Sequence, residues 1–341
     1  VSNQAIFIDP SSEHFLDDKL FDTDNASLNR DGTLLPFSAL RKHYEAQGIP
    51  VHTADKLRDG SKKHAINHYW SLGLLESYKV FLNDSSVRLR GFILLEPPLV
   101  QPEMYEALPE LTTAFENVFV HNAHGDGYSL TDVDTNRLCK IFWPQPYGDV
   151  LPEFWANKNR LNKLVVIAGS HNPGNRKPEF YSERIKAISA LSAYDGVDLF
   201  GRGWERWWGG HARWWPYWRH FMAIQSSFRG SCTSKWPTLS QYRFSLCFEN
   251  MPMSGYVTEK IFDCLYAGTV PVYWGAPDID TLLPADAFVD MRRFNSYDEM
   301  YHFVTAMSDD DWQGMREAGR RFLQEKGAAV YRDSLLNVID L

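Results

Sequence analysis

A repeated alternation constrains this chain more than any other feature. Short apolar runs, each closed by a turn signal, are separated by stretches of helix-forming composition. Ala5-Ile6-Phe7-Ile8 ends at Asp9-Pro10, and Pro36 to Gln47 reads as a helix stopped by Gly48. Ile49 to His52 restarts a strand, and Gly91 to Leu95 is a further strand, closed by Glu96-Pro97-Pro98. Pro102 to Phe115 reads as helix and Val118 to Val120 as strand. The pattern resumes with Leu164 to Ile167 (strand), Glu179 to Tyr194 (helix), Val197 to Phe200 (strand), Tyr256 to Tyr266 (helix) and Val270 to Trp274 (strand). Tyr297 to Met307 and Asp309 to Lys326 close the chain as helices. Strands spaced by helices predict parallel sheets with helices packed on their faces. In open sheets of that kind, ligands bind beyond the carboxyl ends of the strands.

The 341 residues leave room for two such units, at roughly 100–200 residues per domain. The stretch from Tyr128 to Asn159 is irregular and rich in proline and aromatics, so a boundary is expected there. The expected domains are residues 1–157 and 158–341, with the last helix packing back on the first. Hydrophobic residues make up 44% and charged residues 23%, the composition of a globular protein. A net charge of −8 argues against nucleic acid as a partner, because that needs a basic footprint. Cys139, Cys232, Cys247 and Cys264 form no C-x-x-C pair and read as reduced, partly buried thiols. No apolar run approaches the roughly 20 residues that span a bilayer. A cytoplasmic protein is therefore expected. A trimmed lumenal Golgi form is the lesser reading, since Val1 stands in place of Met.

The stretch Tyr242 to Gly275 carries most of the chemistry. Tyr-Arg-Phe-Ser-Leu-Cys-Phe-Glu-Asn (242–250) leads through Met-Pro-Met-Ser-Gly (251–255) to Tyr-Val-Thr-Glu-Lys (256–260). An apolar helix follows, then Gly268-Thr-Val-Pro-Val-Tyr-Trp-Gly275. Physically this is strand, loop, helix start, helix, glycine stop, strand. Backbone N–H groups at a helix start lack partners and attract phosphate. Lys260 in the first turn opposes the helix dipole, and a bound phosphate would compensate. By spacing alone, a Thr-Glu-Lys near a helix start is more often a solvated first turn than a ligand site.

That stretch resembles the donor-binding signature of the α1,3/α1,4-fucosyltransferase family, which has Tyr-Lys/Arg-Phe, Phe-Glu-Asn, Tyr-Val/Ile-Thr-Glu-Lys and Val-Pro-Val at this spacing. Gly230 and Lys235 resemble the approach to the motif. The resemblance implies an α/β fold of GT-B type, two Rossmann-like domains facing a cleft. It implies that the second domain binds GDP-fucose and the first a glycan acceptor, such as N-acetyllactosamine or a bacterial polysaccharide unit. By the same resemblance Lys260 pairs with the diphosphate, Glu259 holds the ribose hydroxyls, and Asn250 and Tyr256 line the donor pocket. The family also places an arginine on the first helix of the donor domain. Arg176 and Arg184 both qualify, and Arg184 has the family's spacing to the next strand end. A planar guanidinium suits a diphosphate because it can donate paired hydrogen bonds.

The family reads Glu-Ser-Pro at the strand end that carries its general base. Here Glu96-Pro97-Pro98 stands in its place. Glu96 is the expected base for a single inverting displacement, with Glu116 and Asp126 as fallbacks. The polar loop after Val120 offers His121, His124 and Tyr128 as acceptor contacts. Two histidines without a third ligand do not make a metal site. Asp132-Val133-Asp134 reads as a solvated loop. No tightly bound cofactor and no metal are expected. Six tryptophans from Trp204 to Trp218 lie among Arg202, Arg206, Arg213 and Arg219. They read first as packing, second as a peripheral membrane or partner surface, and third as an acceptor platform. Two other functions fit the residues: a GT-B transferase of another GDP-sugar, and an inactive carbohydrate- or nucleotide-binding protein.

Overall fold

The computed structural model describes residues 3–171, 177–205 and 217–341. The chain divides into two compact units: Val1–Pro146 with Ala329–Leu341, and Tyr147–Ala328. Residues 147–157, placed with the first domain from sequence, group with the second. The reason is local: Leu151 N–H donates to the Tyr266 carbonyl at 2.9 Å, and the Arg316 guanidinium lies 4.1 Å from the centre of the Trp155 ring.

The first unit is built on six parallel strands: β1 (Gln4–Asp9), β2 (Val51–Thr53), β3 (Ile66–Ser71), β4 (Val87–Ile93), β5 (Asn117–Val120) and β6 (Leu138–Lys140). Their order is β2-β1-β3-β4-β5-β6, with Ile6 opposite Val51 on one side and His68 on the other. Side chains of a strand alternate between faces. Ala5 and Phe7 thus join Tyr69, Phe92 and Phe115 in one core, while Ile6 and Ile8 join Trp70 and Ile93 in another. The second core also takes Leu335 and Ile339, because the helix Ser334–Val338 returns to this unit; the Tyr44 hydroxyl donates to the Ile339 carbonyl at 2.5 Å. Gly91 is required in β4, since a Cβ there would stand 2.6 Å from Trp70 Cδ1.

The second unit holds five parallel strands: β7 (Leu161–Ile167), β8 (Val197–Phe200), β9 (Tyr242–Phe248), β10 (Val270–Trp274) and β11 (Val289–Asp290). Their order is β11-β10-β9-β7-β8. The first strand of this unit is therefore flanked by its second on one side and its third on the other, as in the first unit. This is the doubly wound order, and the direction of sheet growth reverses between β7 and β9. The helix Tyr181–Ser192 follows β7, and the helix Glu259–Ala267 connects β9 to β10. No described helix is long and apolar enough to cross a membrane.

β3, β6 and β11 carry no clear apolar run and were not expected from sequence. The helix expected from Tyr256 begins at Glu259, with Thr258 as its N-cap in extended conformation. Gly255, at φ +78°, turns the preceding chain, and Tyr256 and Val257 lie outside the helix.

Candidate functional site

In a doubly wound sheet, the point where strand order reverses leaves a crevice at the carboxyl ends. In the second unit that point lies between β7 and β9, whose exits are Ala168 to His171 and Glu249-Asn250. The sequence places an arginine, a lysine and two glutamates around it.

Arg184 comes from the helix after β7. An arginine on this helix could equally lie at the surface, paired with Glu183 or Asp195. The structure buries it instead, and its Nη2 donates to the Phe248 carbonyl at 2.7 Å and the Glu249 carbonyl at 3.5 Å. Glu183 is engaged by Lys186 and Tyr297, and Asp195 by Lys163. The guanidinium is thus fixed on the exit of β9. Arg176 lies outside the described residues.

Lys260 comes from the first turn after β9. Its Nζ lies 2.9 Å from Thr258 Oγ1, 3.1 Å from Glu249 Oε2 and 3.6 Å from Glu259 Oε1. Burial works against the ammonium, but Glu249 and Glu259 outweigh it and hold its pKa above the ordinary lysine range. Burial likewise pushes Glu259 up, yet Lys260 and then Lys235 pull its carboxyl down to about 2. At neutral pH the helix start therefore carries a charged lysine beside a charged glutamate.

Two residues of this site escaped sequence reasoning. Glu249 has no exposed surface. It accepts from the Thr258 N–H at 2.9 Å and from the Thr258 hydroxyl at 2.8 Å. The Thr258 amide, expected to be unpartnered, is therefore satisfied by a carboxylate from β9. His171 is exposed at the exit of β7, with its ring 5.4 Å from that of Tyr181. Desolvation, and then the charges of Arg184 and Lys260, lower its pKa. Asn250 Nδ2 donates to the hydroxyl of the buried Tyr256 at 3.3 Å, joining both to this exit. All five residues expected on the second unit thus lie around the exit of β9 and the helix start that follows it. Cations in low-dielectric surroundings beside a helix N-terminus suit a phosphate group.

Apart from the fallback Glu116, which precedes β5 and pairs with Arg90, the residues expected on the first unit gather at the exits of β4 and β5. Glu96 follows β4 and is half-buried; the Tyr105 hydroxyl donates to its carbonyl at 3.0 Å. His121 was expected to contact an acceptor, but it is fully buried and stacks on Trp143 with ring centres 6.0 Å apart. Its Nε2–H donates to the Leu95 carbonyl at 2.8 Å, so it braces the strand end that carries Glu96. Burial lowers its pKa to about 4. His124 is exposed, and its N–H donates to Asn122 Oδ1 at 2.8 Å. Tyr128 packs on Tyr105, ring centres 4.8 Å apart, and its hydroxyl donates to the Asn122 carbonyl. In the tryptophan segment, Trp204 is buried and donates to the Ala168 carbonyl at 2.7 Å, whereas Trp218 is exposed. The other four tryptophans lie outside the described residues.

Residues 158–316 match the family model for the C-terminal part of glycosyltransferase family 10 (fucosyltransferase). The second unit belongs to glycosyltransferase family 10. Over 66 residues the chain is 44% identical to the α-(1,3)-fucosyltransferase FucT of Helicobacter pylori, a match covering 19% of this chain and 14% of that protein. Over 80 residues it is 45% identical to human α-(1,3)-fucosyltransferase 7, covering 23% of each. The chain thus spans less than a quarter of either relative. The crystal structure of an α1,3-fucosyltransferase superposes with a TM-score of 0.55 at 15% identity, covering 93% of this chain and 82% of that one. The shared fold is GT-B, with two parallel α/β units in one chain.

Proposed function

We propose that the chain transfers fucose from GDP-fucose to a hydroxyl of a glycan acceptor, in an α1,3 linkage and with inversion. The observation that carries this reading is the cluster at the exit of β9 in the family 10 unit, where Arg184 and Lys260 converge at a helix start. On this reading the diphosphate lies against Arg184 and Lys260, the ribose against Glu259, and Asn250 and Tyr256 line the donor pocket. The first unit holds the acceptor, with His124 and Tyr128 in its polar loop, and supplies Glu96.

Glu96 accepts the proton of the acceptor hydroxyl as that oxygen attacks the anomeric carbon. The new C–O bond forms while the bond from that carbon to the β-phosphate oxygen breaks. The electron pair leaves on GDP, through an oxocarbenium-like state. Arg184 and Lys260 stabilise charge as it builds on the leaving diphosphate, each contributing on the order of 10²–10³ in rate by analogy with an oxyanion-hole donor. No step of this scheme calls on a metal.

Isothermal titration with GDP-fucose, GDP-mannose and UDP-sugars, followed by assay of GDP release with candidate acceptors, tests the proposal. GDP-fucose is expected to bind best and to release GDP when an acceptor is present. Equal binding across the panel sinks the donor assignment. Glu96→Gln should keep GDP affinity and lower kcat by about 10²–10⁴-fold, the usual contribution of a general base; unchanged turnover removes Glu96 from that role.

A further inference from the structure

The helix Glu259–Ala267 carries two carboxylates one turn apart, Glu259 and Asp263. Like charges at that spacing repel. A cation from another element stands between them. Lys235 opens the short helix Lys235–Leu239, and its Nζ lies 2.7 Å from Asp263 Oδ2 and 3.7 Å from Glu259 Oε1. Asp263 is buried, and Trp236 Nε1 donates to its other oxygen at 2.8 Å. The lysine is therefore anchored firmly on its Asp263 side, while the Glu259 side is about a third exposed. With the pairs around Lys260, the charges alternate along the helix start in the order Glu249, Lys260, Glu259, Lys235, Asp263.

This order has a consequence for nucleotide binding. Lys260 serves Glu249 and Glu259 together. Once its ammonium turns to a diphosphate, Lys235 is the cation left beside Glu259. We propose that Lys235, anchored by Asp263, is a positioning residue that holds the Glu259 carboxylate as acceptor for the two ribose hydroxyls, and so sets recognition of the sugar of the donor nucleotide. The inference rests on the proposed assignment of Glu259 to the ribose.

The test compares GDP with 2′,3′-dideoxy-GDP by titration calorimetry on the full chain. The native protein should prefer GDP by about 10–100-fold, the value of hydrogen bonds to a charged acceptor. Glu259→Gln should reduce that preference to within a few-fold. Lys235→Met should reduce it by roughly fivefold or more, and Lys235→Arg should retain it. A role confined to packing would weaken both nucleotides equally and leave the ratio unchanged, and that result overturns the proposal. Lys235→Met leaves Asp263 without its cation, so the pair Lys235→Met/Asp263→Asn, which buries no lone carboxylate, must show the same reduced preference. If Glu259→Gln keeps the full preference, the ribose assignment falls and the proposal with it. If only the Lys235 variants keep it, the proposal alone falls.

Discussion

The pairing of Lys260 with Glu249 predicts that one residue serves both stability and binding, and that the two roles separate. Glu249 is wholly buried. Its partners are the Thr258 amide at 2.9 Å, the Thr258 hydroxyl at 2.8 Å and the Lys260 ammonium at 3.1 Å. Lys260→Met removes the cation and leaves a buried carboxylate with two hydrogen bonds. Breaking a buried ion pair from one side costs about 3–5 kcal/mol. Here the two remaining donors, and a lysine side chain 24% exposed, bring the expectation to roughly 2–3 kcal/mol. For a unit of this size that is a fall in Tm of roughly 5–10 °C. Adding Glu249→Gln removes the uncompensated charge while keeping an oxygen for Thr258, so the double variant should regain about half of the loss. GDP affinity should not return with it, because the ammonium is still missing. Calorimetric unfolding of the native protein, both single variants and the double variant closes the cycle, with a coupling energy of about 2 kcal/mol expected. Titration with GDP on the same four proteins gives the second readout. A Lys260→Met variant within about 0.5 kcal/mol of native stability, or a double variant no more stable than Lys260→Met, refutes the reasoning.

The same helix is held at its other end. Arg316 is buried and donates to the Gly268 carbonyl at 2.8 Å and the Trp155 carbonyl at 2.7 Å, and Arg160 donates to the Ala267 carbonyl at 2.8 Å. A single ammonium cannot reproduce that fork. Arg316→Lys should cost about 2–3 kcal/mol in urea unfolding; native-like stability would show that the carbonyls do not need the guanidinium. In the first unit, burial lowers the His121 imidazole to about 4 from its ordinary 6.5. Below pH 6.5 the unfolded chain takes up a proton that the folded chain refuses, so this contribution to stability is complete above 6.5 and falls away toward pH 4. It amounts to about 3 kcal/mol at most. His121→Asn, which keeps a donor for the Leu95 carbonyl, should flatten the stability–pH curve over that range, and an unchanged slope would assign the effect elsewhere.

Where local pattern and tertiary environment agree, the sequence was readable. The apolar runs at Ala5, Leu164 and Val270 became buried parallel strands, and Gly268, at φ +66°, stops the helix as its position suggests. β3 shows why other parts were not. It lies inside the sheet, yet it reads Ile-Asn-His-Tyr-Trp-Ser. Asn67 is tolerated there only because its side chain donates to the His64 carbonyl at 2.9 Å and the Ser86 carbonyl at 3.1 Å, and accepts from the His64 N–H at 2.9 Å. Such compensation comes from residues outside the strand and leaves no periodic trace.

Glu249 presents the same difficulty in the site itself. From sequence it is a carboxylate one residue past a strand, indistinguishable in kind from Glu96, which stays half-buried at the exit of β4. Its burial depends on two residues far along the chain. Thr258, nine residues on, supplies two donors, and Gly275, at the exit of the neighbouring strand β10, supplies space. A Cβ at Gly275 would stand 2.5 Å from Glu249 Cγ and 2.3 Å from the Tyr273 hydroxyl. Gly275 has no unusual backbone angle that would demand glycine. Its role is steric: it lets the Glu249 carboxylate reach under the helix start, where that carboxylate meets the amide of Thr258 and the ammonium of Lys260. Glycine at the end of the Val-Pro-Val-Tyr-Trp-Gly run reads as a turn, and only the pairing of β9 with β10 reveals that it and Glu249 form one feature.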